Sequence, residues 1–252
     1  MINLLTRRNA IAAAGVLAIV AVFILFAFAR QPAQADNGVL SAAERSEIEE
    51  IVRRYILDNP EIIPEAITNL QRREVARMIE SNREDIVTPF EGAWAGNPDG
   101  DVVLVEFFDY NCPYCRQASG DVARLLKEDP DLKVVWRDFP VLGPASRQAA
   151  LAALSAAKQD KYKRYHDAMF ADERRVNQDK VFDVVRRTGL SEVRTAKDLD
   201  DEALSAELDA NLALGRALGL GGTPAYVVGD RILEGAVGYD AMKEAIAEAR
   251  AG

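Results

Sequence analysis

The sequence predicts an α/β fold: a strand–helix–strand unit, a helical insert, then a strand–strand–helix unit, with a further helical segment ahead of them. Three observations carry this. An apolar, β-branched run, Val102–Phe108, leads through a short turn into Cys112-Pro113-Tyr114-Cys115 and a helical pattern. Residues 145–220 are helical in character throughout. A Gly-Gly-Thr223-Pro224 loop then opens two short strands and a last helix.

Composition bounds the possibilities. With 252 residues, 49% hydrophobic and 28% charged, the chain can bury an ordinary core, as one large domain or one domain with an appendage. A net charge of −9, with no dense basic block after the N-terminus, argues against a nucleic-acid partner.

Residues 1–35 read as a targeting segment: Arg7 and Arg8, an apolar run over 11–29, and a small-x-small site at Ala33-Gln34-Ala35. Cleavage after Ala35 is expected. The apolar run approaches spanning length, so an uncleaved membrane anchor is the competing reading. In both cases the remainder is exported to the periplasm, with the arginines left on the cytoplasmic side. Cleavage removes three arginines and no acid, taking the net charge from −9 to −12. Export places the two cysteines where disulfides form and exchange.

Residues 36–85 form a helical segment. Ser41-Ala-Ala-Glu44 has the form of a capping box. Ile48, Ile51, Val52, Tyr55 and Ile56 make one apolar stripe, Asp58-Asn59-Pro60 interrupts it, and Ile63, Ala66, Ile67 and Leu70 begin a second that extends toward Met78 and Ile79. Two such helices cannot bury both stripes alone. They pack on the main domain or on copies of themselves, and periodicity does not choose. Residues 88–100 are a breaker-rich linker or edge segment.

The strand Val102–Phe108 and the cysteine helix follow. Helical spacing of Val122, Leu125 and Leu126 starts that helix close to Cys112, so the sulfur sits at or just before the N-terminus. There, free N–H groups and the helix dipole favour a thiolate. Pro113 suits the first helical position. Cys115, one turn on, is placed to close a disulfide and resolve a mixed one. A zinc site lacks ligands, since the chain has two Cys and one His. A structural disulfide closing so short a loop constrains little. No metal site is assigned.

A second strand covers 133–136. The insert, 145–220, shows four apolar stripes, the last running from Leu199 to Leu218, with Gly189 as a C-terminal cap. His166 has no second ligand near it and is assigned no chemistry. Strands at Ala225–Val228 and 231–233 flank a Gly229-Asp230 turn, and a helix from Tyr239 ends the chain. Pro224, at a strand mouth, is either an edge feature or a cis-proline.

These motifs resemble the thioredoxin-fold disulfide oxidoreductases of the DsbA type, in which a helical domain is inserted into the thioredoxin core. Glu106-Phe-Phe-Asp-Tyr-Asn-Cys112-Pro-Tyr-Cys115 is similar to that family's active-site strand and helix start, and Gly222-Thr223-Pro224-Ala225 to its cis-proline loop. Tyr55-Ile-Leu-Asp-Asn-Pro60-Glu61, Phe139-Pro140-Val-Leu-Gly143-Pro144 and Tyr165-His166-Asp-Ala-Met169 resemble the suppressor-of-copper-sensitivity protein C (ScsC)-like subgroup. The implied domains are 1–35 as signal or anchor, 36–85 as a helical oligomerisation segment, and 86–252 as the catalytic domain.

The resemblance implies roles. Cys112 is the nucleophile and Cys115 the resolving thiol. Pro224 is cis over the pair. Thr223, Pro113 and Tyr114 contact an extended client peptide. Glu106 is a buried acid that serves Cys115 in proton transfer, where the plain reading of the residue is an edge-strand charge. The redox-active disulfide is the only cofactor. Partners are unfolded or wrongly disulfide-bonded exported proteins, a membrane redox protein and further copies of the chain. The family's strong oxidants carry a histidine between the cysteines. With Pro113-Tyr114 there instead, a milder oxidant is expected, favouring an isomerase or reductase. A monomeric thiol oxidase is the enzymatic alternative, and a Cu(I)-binding or client-holding module the non-enzymatic one.

Overall fold

The computed structural model describes residues 40–251. The expectations for residues 1–35 lie outside them. Among the described residues, no helix is long and apolar enough to cross a membrane.

The chain divides into two compact units, with the break between Pro64 and Glu65. Helix α1, Ala42–Asp58, starts at the Ser41 capping box: the Ser41 hydroxyl accepts the Glu44 amide, and the Glu44 carboxylate accepts the Ser41 amide at 2.8 Å. No α1 residue is buried. Asn59 ends the helix, its amide and side chain both donating to the Tyr55 carbonyl. Helix α2, Ile62–Ser81, crosses the break, and α3, Arg83–Val87, follows.

This corrects the expected boundary at residue 85. Ile79 and Ile86 are buried in a cluster with Val105, Phe107, Val135 and Val227. The Arg137 guanidinium also donates to the carbonyls of Asp85, Ile86 and Thr88. Residues 65–85 therefore belong with the second unit, which holds the sheet. Met78 and Ile79 face that unit's core, whereas Ile63, Ile67 and Leu70 are exposed.

The sheet has five strands: β1 Trp94–Gly96, β2 Val102–Phe108, β3 Leu132–Asp138, β4 Ala225–Val228 and β5 Arg231–Glu234, in the order β1-β3-β2-β4-β5. Only β2 and β3 pair in parallel. Strand β2 is central and covered on both faces, which is why it reads as an almost unbroken apolar run. Alternation sends Leu104 and Phe108 into one cluster and Val105 and Phe107 into another.

Helix α4, Pro113–Glu128, and α10, Tyr239–Ala251, pack together on the first face. The insert between β3 and β4 holds five helices: α5 Pro144–Ala157, α6 Tyr162–Ala171, α7 Gln178–Arg187, α8 Glu192–Asp198 and α9 Glu202–Ala217. Alanine-rich α5 packs against all four others, because small side chains let helices approach closely. The single last stripe expected from Leu199 to Leu218 is corrected. Leu199 caps α8, and the Asp201 carboxylate starts a new helix by accepting the Ala203 amide at 2.8 Å.

Candidate active site

Cys112 is the N-cap of α4, with extended backbone (φ −81, ψ 121), and Pro113 opens the helix. The side chain of Cys112 is 4% exposed and that of Cys115 is fully buried; both are free thiols. The Cys112 thiol donates to the Thr223 carbonyl at 3.2 Å, bridging the cysteine turn to the loop before β4. The Thr223–Pro224 peptide is cis, and Pro224 is buried. Pro113 and Tyr114 are exposed beside the thiol.

Burial pushes the Cys115 thiol far above its ordinary range. The Asp109 backbone and the Thr223 side chain hydrogen-bond it and act in the opposite direction, while the charges of Glu106 and Cys112 raise it further. A thiol so disfavoured as an anion needs a base at the moment it attacks.

Glu106 is the carboxyl whose charge acts on the Cys115 thiol. It lies in the centre of β2, 1% exposed, where sheet register sets Trp136 of β3 and Tyr226 of β4 directly across from it. Cross-strand neighbours share a face, so both reach its carboxyl. The Trp136 indole N–H donates to one oxygen at 3.1 Å and the Tyr226 hydroxyl to the other at 3.4 Å. Burial raises the Glu106 carboxyl to about 7, against the pull of the two hydrogen bonds. Its edge-strand reading does not apply, because β2 is central.

The structure thus brings Cys112, Cys115, Thr223, Pro224, Pro113 and Tyr114 to one locus, with Glu106 beneath them. His166 lies in an aromatic cluster, 4.5 Å from Trp136 and 4.8 Å from Phe108 between ring centroids. Burial lowers it to about 3, so it stays neutral. Among the described residues no group of three or more His, Cys, Asp or Glu could hold a metal.

Sequence reasoning missed Trp136 and Tyr226, because register is set by tertiary pairing. It also missed Asp109, whose carboxylate accepts the Asn111 amide at 2.7 Å and the Leu142 amide at 2.9 Å. Asp-x-Asn between a strand and a helix is a turn signature that marks the residue. Asp138, paired with Phe108 in the sheet, accepts the Tyr162 hydroxyl at 2.7 Å. Burial raises it to about 8.

Comparison with known proteins places this geometry in context. Residues 103–247 match the DSBA-like thioredoxin domain, and residues 44–77 the N-terminal domain of the copper resistance protein ScsC. A thioredoxin-like oxidoreductase from Silicibacter pomeroyi superposes with a TM-score of 0.66 at 38% identity, over 68% of this chain and 99% of that one. Proteus mirabilis ScsC, in a transitional conformation, superposes at 0.64 with 32% identity, over 86% of this chain and 99% of the other. Disulfide bond formation protein D of Bacillus subtilis is 28% identical over 163 residues, covering 60% of this chain and 73% of its own. The chain spans 24% of the length of two other curated relatives, Na(+)/H(+) antiporters NhaA of Salinispora species, at 28% identity.

Proposed function

The chain belongs to the DSBA-like thioredoxin family, whose members are thiol:disulfide oxidoreductases, and we propose that it is an exported disulfide isomerase or reductase of client proteins. One observation carries this reading: Cys112 stands at the N-cap position of α4 with its thiol donating to the Thr223 carbonyl, and buried Cys115 and Glu106 lie behind it.

The chemistry runs through the chain's own groups. The Cys112 thiolate attacks one sulfur of a client disulfide. A Cys112–client bond forms, the client S–S bond breaks, and the released client thiolate takes a proton. For isomerisation, that client thiol attacks a second client disulfide. The newly freed sulfur then attacks the mixed disulfide and returns Cys112 as a thiolate. For reduction, Glu106 accepts the Cys115 proton and Cys115 attacks the mixed disulfide. The client leaves with two thiols, and its two-electron reduction is matched by oxidation of Cys112 and Cys115 to a disulfide. A membrane dithiol protein then restores the pair. This disulfide is the only cofactor the cycle needs. Thr223, Pro113 and Tyr114 line the client's path beside Pro224.

The exposed apolar stripes of α1 and the first half of α2, within the ScsC N-terminal match, support assembly of several copies. The copper resistance named in that match belongs to the relative.

The test is reactivation of scrambled ribonuclease in glutathione buffer by residues 36–252 at substoichiometric amounts. Reactivation that disappears in Cys112→Ser supports the proposal. Rapid oxidation of reduced ribonuclease without reactivation of the scrambled form supports the oxidase alternative, which the name of the Bacillus subtilis relative favours.

A further inference from the structure

Asp109 makes four links around the cysteines. Its backbone carbonyl accepts the Cys112 amide at 3.0 Å, and its backbone also hydrogen-bonds the Cys115 thiol. One carboxylate oxygen accepts the Asn111 amide, and the other reaches 33 residues along the chain to the Leu142 amide. A local turn needs only the first oxygen. The second fastens the loop between β3 and α5 to the turn that carries the nucleophile.

That loop presents apolar side chains to solvent: Val141 is 45% and Leu142 48% exposed. They are not isolated. Among the described residues after Leu70, the exposed large apolar side chains are Tyr114, Val141, Leu142, Val193 and Val237. All but Val193 stand on segments tied to the cysteine site. Tyr114 lies between the cysteines. The Asp109 carboxylate holds the Leu142 amide, next to Val141. Val237 follows Gly235, whose amide donates to the Pro224 carbonyl at 2.8 Å. Exposed apolar side chains on segments tied to one reactive group, on a chain of net charge −9, offer a surface for something apolar.

We infer that Asp109 is a positioning residue: its carboxylate fixes the distance between Cys112 and the Val141–Leu142 lip, selecting clients with large apolar side chains beside the cysteine. This rests on the exchange reaction proposed above and narrows its substrate class. Asparagine at 109 has one oxygen to offer two N–H donors, and its own NH₂ group opposes the other, so the lip comes loose.

The test compares two disulfides reacting with the reduced chain from residue 36 onward. One is a peptide disulfide with leucines flanking its cysteine, and the other is hydroxyethyl disulfide. The readout is the ratio of the two second-order rates in wild type, Asp109→Asn, Leu142→Ser and the double variant. Serine at 142 keeps the amide that Asp109 binds. Each single substitution should lower the ratio about tenfold, and the double variant should fall no further than Asp109→Asn. A loose lip no longer presents residue 142, so the two effects do not add.

An unchanged ratio in Asp109→Asn, or a double variant about a hundredfold down, overturns the inference. If Asp109→Asn does not fold by circular dichroism, Leu142→Ser decides, and an unchanged ratio there overturns it equally. A wild-type chain inert to both disulfides overturns the exchange reaction itself, a result distinct from normal exchange with an unmoved ratio.

Discussion

Glu106 shows how one carboxyl couples stability to chemistry. In the folded chain it holds its proton up to about pH 7, against an ordinary value of 4.5. Between those values the folded state binds more protons than the unfolded, so stability falls as pH rises. The contribution is complete below about pH 4.5 and is lost as pH passes through about 7; it amounts to roughly 3 kcal/mol at most. Asp138, raised to about 8, acts with the same sign. Glu106→Gln should therefore gain stability over wild type as pH rises from 5 to 8, in urea unfolding at the two pH values. In the proposed reduction, the same variant removes the acceptor for the Cys115 proton. The mixed disulfide with a client should then persist, resolving about a hundredfold more slowly. Faster resolution in that variant would rule out the proton-acceptor role. Between the cysteines, Tyr114→His places an imidazole beside the Cys112 sulfur. It should favour the dithiol about tenfold in equilibrium with glutathione, a shift of roughly 30 mV toward a stronger oxidant.

At the scale of elements, close packing fixes what one glycine can become. A Cβ on Gly215 of α9 would lie 2.4 Å from the Phe139 ring. Phe139 is buried, and its amide is held by the Phe108 carbonyl, so the ring cannot swing away. Gly215→Ala should lower unfolding stability by about 1–3 kcal/mol, despite alanine's better helix propensity. Nothing in the sequence announced that contact, since Gly215 and Phe139 are distant along the chain. What could be read in advance had a local cause. Strand β2 was legible because burial on both faces leaves an apolar run. The start of α4 was legible because Pro113 and the cysteine spacing mark it. The pairing of Glu106 with Trp136 and Tyr226 was hidden, because register arises between strands. The change of role along α2 was hidden too. Ile63, Ile67 and Ile79 share a helical pattern, but only Ile79 meets the core, and a periodic stripe does not say what covers it.

At the scale of the whole molecule, α1 is the element with least reason to be stable by itself. It has 17 residues, none of them buried, and an isolated helix of that length is marginal in water. Yet Ile48, Ile51, Val52 and Tyr55 repeat at helical spacing, with Ile51 53% and Tyr55 58% exposed. Burying the remainder of such side chains contributes about 1 kcal/mol each, so several pairs between copies would hold an assembly. Joined copies also keep a second dithiol near a client already held by the first, raising its effective concentration without any new contact at the active site. Ile51→Glu with Tyr55→Glu should therefore do two separable things. Light scattering should report the mass of a single chain where the unsubstituted protein reports several. Reactivation of scrambled ribonuclease per active site should fall several-fold, while the rate with hydroxyethyl disulfide stays the same, because that reaction needs one Cys112 alone. Loss of both rates together would place the stripe in the folding of the catalytic unit, and an unchanged mass would leave α1 without a role in assembly.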